Sequence, residues 1–231
     1  MKVSNKFAIA VAIGTLAAIP SFAASTIDLG INGDAQVGAN FINFSSNYPT
    51  DTTFAQAPDY GNFQVSQVQA GNILSNAGVH NGEFGLIQSL NNALEPVKSS
   101  PDFTNTYTGT PFMTFSDLGS NEQLYLTAIL QGNFANGSPF NFTETPNGLV
   151  ASFDVDGYVL DTNTNAKTLY TGTFSATFNG IMSVSSLDLP QQTPFSATFT
   201  LNTVPEPGSV LLMSVGLLGA GVIARRRKVK P

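Results

Sequence analysis

The chain has 231 residues, only 10% of them charged, with 9 Lys and Arg against 15 Asp and Glu and a formal charge of −6. It contains no Cys and no Trp, but 18 Phe and 6 Tyr. The missing thiols exclude a cysteine nucleophile, an iron–sulfur cluster, a thiolate zinc site and disulfide staples, so stability must come from packing.

At the N-terminus, Lys2 and Lys6 precede the apolar run Phe7 to Ile19, and Ser21-Phe22-Ala23 follows. This is the pattern of a secretory signal peptide, residues 1–23, with Ser21 and Ala23 as the small residues that signal peptidase reads. Cleavage after Ala24 would place Phe22 where a small side chain is preferred; an uncleaved N-terminal anchor is the alternative.

The body, residues 24–203, is long enough for one domain with a real core. Only Lys98 and Lys167 oppose its 14 acidic residues, a formal charge of about −12. Such a surface repels phosphate backbones and excludes nucleic acid as a partner. Divalent cations suit it better. Its Asn-, Thr-, Gly- and Ser-rich, weakly charged composition is that of an extracellular adhesive or matrix protein.

Ile27 to Ile31, Ala35 to Phe44 and Phe63 to Val68 are expected as strands, although Gly and Asn interrupt them. Phe84, Ile87, Leu90 and Leu94 form a helical stripe, which predicts one short helix within Gly82 to Leu94, before Pro96. Ser45 to Pro58 and Glu95 to Thr110 read as long loops. Later in the chain the alternation is strict. Leu124, Leu126, Ala128 and Leu130 share one face, as do Leu149, Ala151, Phe153 and Val155. Phe174, Ala176 and Phe178, then Phe195, Ala197, Phe199 and Leu201, repeat the pattern, which is that of half-buried strands. Turn residues separate the runs at Asn133 to Pro139, Glu144 to Gly148, Asp161 to Ala166 and Asn179-Gly180.

Together these runs predict an all-β, antiparallel β-sandwich or jelly-roll-like body with at most one short helix. Phe-Ser-Ala-Thr-Phe occurs at 174–178 and again at 195–199. Two strands in equivalent positions would explain the repeat, and so would convergence in a Thr/Phe-rich β sequence. No period of 20–50 residues is present, which argues against a solenoid.

His80, the single histidine, lies in the loop-like Gly78-Val79-His80-Asn81-Gly82, and no Gly-x-Ser-x-Gly elbow or histidine-pair motif accompanies it. A solvent-facing loop residue is therefore expected, and no catalytic residue is assigned. Asp154 and Asp156 share the polar face of a strand, and Asp161 follows near its end. Three carboxylates beside Asn carbonyls are the oxygen-rich chemistry of a calcium site, and calcium is the one cofactor considered. Asp161-x-Asn163-x-Asn165 imitates the start of an EF-hand loop, but Ala166 replaces its glycine and Gly172 its bidentate Glu. A glycosidase would need a second carboxylate across an aromatic-lined cleft. Thr-x-Thr steps at Thr106/Thr108/Thr110, Thr171/Thr173 and Thr198/Thr200 suit an ordinary outward strand face, or a hydroxyl ladder for ice or polysaccharide.

At the C-terminus, Val204-Pro205-Glu206-Pro207 must be extended, because each proline fixes its own φ and restricts the residue before it. Gly208 to Ala224 carries no charge, and Arg225, Arg226, Arg227, Lys228 and Lys230 follow. As a helix this stretch covers roughly 25 Å, enough to span a ~30 Å hydrocarbon core if the basic residues snorkel. A signal peptide at one end and a basic cluster at the other leave Arg225 to Lys230 in the cytoplasm and the body on the periplasmic side. Gly216, Ala220 and Ala224 make a small-residue stripe that would admit a second helix, or simply a span with no partner.

The motif, the apolar stretch and the basic end, in that order over residues 204–231, resemble the PEP-CTERM sorting signal of bacterial surface proteins. The same tail also goes by the name of the ice-binding protein C-terminal domain, a label that implies no ice binding. What the resemblance implies is recognition by an exosortase, a membrane transpeptidase-like enzyme that processes such tails near the PEP triplet, in bacteria that export polysaccharide. The expectation is a non-enzymatic exported protein, tethered at the inner membrane and then released to the outer surface or matrix. Adhesion, aggregation or biofilm assembly would be its work, with signal peptidase, exosortase and extracellular polysaccharide as partners. An extracellular polysaccharide-acting enzyme, or a calcium- or carbohydrate-binding module, is the alternative.

Overall fold

The computed structural model describes residues 26–46, 48–49, 53–55, 59–91, 98, 100–103, 109–115, 121–134, 138–188 and 191–204, together with Gly216. The expected signal peptide, and the expected membrane helix apart from Gly216, lie outside these residues. No helix among the described residues is long and apolar enough to cross a membrane.

The strands are β1 (Thr26–Gly38), β2 (Phe41–Phe44), β3 (Tyr60–Val68), β4 (Phe84–Gln88), β5 (Leu90–Asn91) and β6 (Met113–Phe115), then β7 (Glu122–Ile129), β8 (Asn141–Thr145), β9 (Gly148–Asp161), β10 (Ala166–Phe178) and β11 (Gln191–Thr203). Eight of them, β1, β3, β4, β6, β7, β9, β10 and β11, pair antiparallel in chain order, and β11 then pairs with β1. The result is a closed up-and-down barrel. The closing seam is long: β1 and β11 run in register from Thr26 opposite Asn202 to Val37 opposite Gln191. β2 and β5 extend the sheet beside β1, and β8 lies against the first part of β9.

This closure corrects the sandwich expectation. Alternation says which side chains face inward, but not whether the first and last strands meet; here they do, and the seam removes both long edges that a sandwich would expose.

The interior is built in rungs. Leu29, Phe199, Phe174 and Phe153 lie at one level across β1, β11, β10 and β9. The next inward rung is Ile31, Ala197, Ala176 and Ala151, and the one after is Gly33, Phe195, Phe178 and Leu149. Large and small rungs alternate so that the rings interdigitate: Phe153 stacks on Phe174 with centroids 4.9 Å apart, and Phe174 meets Phe199 edge-on at 5.8 Å. Each buried ring contributes roughly 1.5–3 kcal/mol. The two Phe-Ser-Ala-Thr-Phe segments are therefore direct partners. Because the motif is nearly palindromic, antiparallel pairing sets Phe174 opposite Phe199 and Phe178 opposite Phe195.

The described α-helix is a single turn, α1 (Ile73–Asn76), capped by the Asn72 side chain, which accepts from the Ser75 N–H at 2.8 Å. It does not fall within the predicted Gly82 to Leu94. That segment supplies β4 instead, paired on both sides with β3 and β6, and Gly85 is pressed between Phe63 and the Thr114 main chain. Two strand partners outweigh a four-residue helical stripe. The isolated hydrophobic pattern could not reveal them.

Candidate functional site

Strand pairing brings polar residues together on the outer wall of β1, β11, β10 and β9. Thr26, Asn202, Thr171 and Asp156 form one outward rung, and Asp28, Thr200, Thr173 and Asp154 form the next. Gly30, Thr198, Ser175 and Ser152 follow, then Asn32, Ser196, Thr177 and Val150. None of these positions carries a positive charge, and Val150 is the sole large apolar side chain among them. Thr26, Asp154, Thr171, Ser196, Thr198 and Asn202 are exposed, and Asp156 is buried. Of the expected Thr-x-Thr steps, Thr171/Thr173 and Thr198/Thr200 share this wall; Thr106 and Thr108 lie outside the described residues.

At one end of the wall a groove of about 310 Å³ is lined by Pro101 and Leu130 together with Asp154, Asp156, Thr171, Thr173, Thr200 and Asn202. Two carboxylates line it in different surroundings. Asp154 accepts a 2.7 Å hydrogen bond from the Thr173 hydroxyl across the β9–β10 ladder. Asp156, 1% exposed, accepts from the Asp102 main-chain N–H at 3.2 Å. Burial raises the Asp156 carboxyl above the usual range; the Asp102 N–H opposes this, while the charges of Asp102 and Asp154 add to it. Asp102 also pairs with Lys98. Sequence reading missed Asp102, because its loop lies far along the chain and only the parallel contact of Lys98 with Leu130 brings it over β9.

The structure does not bring Asp161 to the same place. Five residues beyond Asp156, or about 16 Å of extended strand, it organises the β9–β10 hairpin. One carboxylate oxygen accepts from the Asn163 N–H at 2.8 Å, and the other from the Thr164 hydroxyl at 2.6 Å. The Thr164 hydroxyl and the two main-chain N–H groups hold its carboxyl below the usual range. The EF-hand-like run is thus an Asx turn, with Asn165 in the left-handed region at φ 56°. No group of three or more metal-ligating side chains gathers among the described residues.

Beyond Asp156 the outer wall becomes aromatic. Tyr125 and Tyr158, paired across β7 and β9, stack with centroids 4.9 Å apart, and the Lys167 ammonium lies 4.3 Å from the Tyr158 ring centre. His80 sits exposed in its loop, with Nδ1 3.1 Å from the Gly78 carbonyl oxygen and 3.7 Å from the buried Glu83 carboxylate.

The sorting residues begin where the barrel stops. Val204, one residue beyond β11, donates its N–H to the Leu169 carbonyl oxygen at 2.9 Å. Pro205, Glu206, Pro207 and the basic cluster Arg225 to Lys228 lie outside the described residues, as do Ser21 and Ala23. Comparison with curated proteins and with solved structures found no match. Residues 203–228 match the PEP-CTERM protein-sorting motif, so the chain carries a sorting signal that implies export and processing by an exosortase.

Proposed function

We propose that this is a non-enzymatic surface or matrix protein, delivered by its signal peptide, held briefly by its C-terminal span and released by an exosortase near Pro205. The sorting motif at residues 203–228 carries the reading. The character of the barrel supports it. Apart from Gly30 and Val150, the four outward rungs are hydroxyl, amide and carboxylate groups, chemistry suited to wet, hydrogen-bonded adhesion. Asp154 and Asp156 are neighbours on one strand, unlike a glycosidase pair that faces across a cleft. No catalytic or metal-binding role is assigned to them.

Intact mass and fractionation of the protein in its native host, comparing wild type with Pro205→Ala/Pro207→Ala, test the proposal. The wild type is expected to lose the segment beyond the motif and reach the surface, while the variant stays full-length in the inner membrane. Retention of residues 208–231 in both would make the tail an ordinary anchor and overturn the reading.

A further inference from the structure

We propose that the outer wall of β1, β11, β10 and β9, with the groove at its end, binds a polysaccharide bearing free amino groups. The inference rests on the reading of the protein as a matrix component and names its partner. It follows from the chemistry of the wall by elimination and by complementarity.

A protein partner is disfavoured because interface cores draw on aromatic residues, Met and Arg, none of which stands on the four rungs. Phosphate-rich and uronate-rich polymers find no cation on the four rungs to pair with their charge, on a body with about 12 net negative charges. A crystalline surface such as ice needs a flat lattice, whereas the strands of a closed barrel twist and tilt. A chain of amino sugars meets both halves of the pattern. Its hydroxyls pair with Ser175, Thr198 and Thr200, each of which donates and accepts, and with Thr173, whose hydrogen goes to Asp154 and whose oxygen accepts; its ammonium groups pair with Asp28 and Asp154 in charge-assisted hydrogen bonds.

The spacing supports an extended ligand. Neighbouring side chains along a rung stand about 4.8 Å apart and successive rungs about 6.7 Å apart, so a polymer crossing the wall meets a polar group at every step. Asp154 accepts from Thr173 with one oxygen, and the other accepts no hydrogen bond among the described residues. The groove lies at the small end of the roughly 300–1,000 Å³ range of ligand pockets, so it would seat a short part of the chain while the rest lies along the rungs.

The test is calorimetric titration of the full-length protein, in a mild detergent, with the hexamer of glucosamine, its fully N-acetylated counterpart and a uronate hexamer. Only the glucosamine hexamer is expected to bind well. Asp154→Asn, which removes one charge-assisted hydrogen bond, and Thr198→Lys, which replaces a hydroxyl partner with a charge of the ligand's own sign, are each expected to weaken it about ten-fold. Asp59→Asn, the same charge change at an exposed position outside the wall, is expected to leave affinity unchanged. Melting temperatures of all variants establish that they fold. Absence of binding, equal binding of the N-acetylated hexamer, or equal weakening by Asp59→Asn would each overturn the proposal, the last by reducing it to diffuse attraction. Tail processing is read independently by fractionation, so a failure of either proposal leaves the other measurable.

Discussion

The Tyr170 hydroxyl, buried in the barrel, donates a 3.0 Å hydrogen bond to the main-chain oxygen of Tyr125, two strands away. β9 runs between the two residues, and Tyr170 crosses it at its own pairing partner, Gly157. A β-carbon at Gly157 would collide with the Tyr125 oxygen and lie 2.6 Å from the Tyr170 hydroxyl. Burial pushes the phenol's pKa up, which keeps the hydroxyl protonated as a donor.

Gly157→Ala is expected to destabilise the barrel by about 1–3 kcal/mol, the usual cost of overpacking. The obstruction is main chain as well as side chain, so little can move aside. Urea or thermal unfolding measures the loss, and an unchanged midpoint would contradict the close approach.

Tyr170→Phe keeps the ring and removes the donor, leaving the Tyr125 carbonyl without that partner. A cost of about 1–3 kcal/mol is expected. Because both substitutions break the same contact, the double variant Gly157→Ala/Tyr170→Phe should lose less than the sum of the two. Strict additivity would show that the residues act independently.

Ala176→Leu enlarges the small rung between two rungs of phenylalanine and should cost about 1–3 kcal/mol. Thr177→Val, one residue on and facing outward, should stay within about 0.5 kcal/mol. The contrast, read from unfolding midpoints, checks the alternation of rungs.

Glu122 tests the electrostatics. Burial, reinforced by the Asp161 charge, raises its carboxyl above the usual range, and its Oε2 has no hydrogen-bond partner among the described residues. A carboxyl with a raised folded pKa holds its proton more tightly in the folded state. Stability therefore falls as pH rises from the unfolded pKa through the folded one, and the penalty is fully present above the raised folded pKa. Glu122→Gln should raise the melting temperature at pH 7 by about 2 °C and give no gain below about pH 4. Asp156, also raised by burial, contributes with the same sign. Asp161 has the opposite sign: its stabilisation is present above its unfolded pKa and is lost as pH falls through its lowered folded one.

Much of the barrel was legible from the residues. The strands around Leu124, Leu149, Phe174 and Phe195 follow from alternation, because a sheet with one buried face imposes period two on any chain that forms it. The short strands β4, β5, β6 and β8 were not legible, since Gly85 in β4 and the two residues of β5 carry too little pattern; β4 is held by β3 and β6, and β5 by β2. Asp154 and Asp156 were placed on one face correctly, but nothing in the order of residues indicates that Asp102 covers one of them.

The tail's address and the inward and outward sides of the long strands are local properties, written in prolines, charges and alternation, and the amino-acid sequence determined them alone. Closure of β1 against β11, the pairing of the two Phe-Ser-Ala-Thr-Phe segments and the assembly of a hydroxyl wall from four strands were decided by the tertiary structure. Each depends on register between segments distant in the chain, and register is set by how all the rungs pack together.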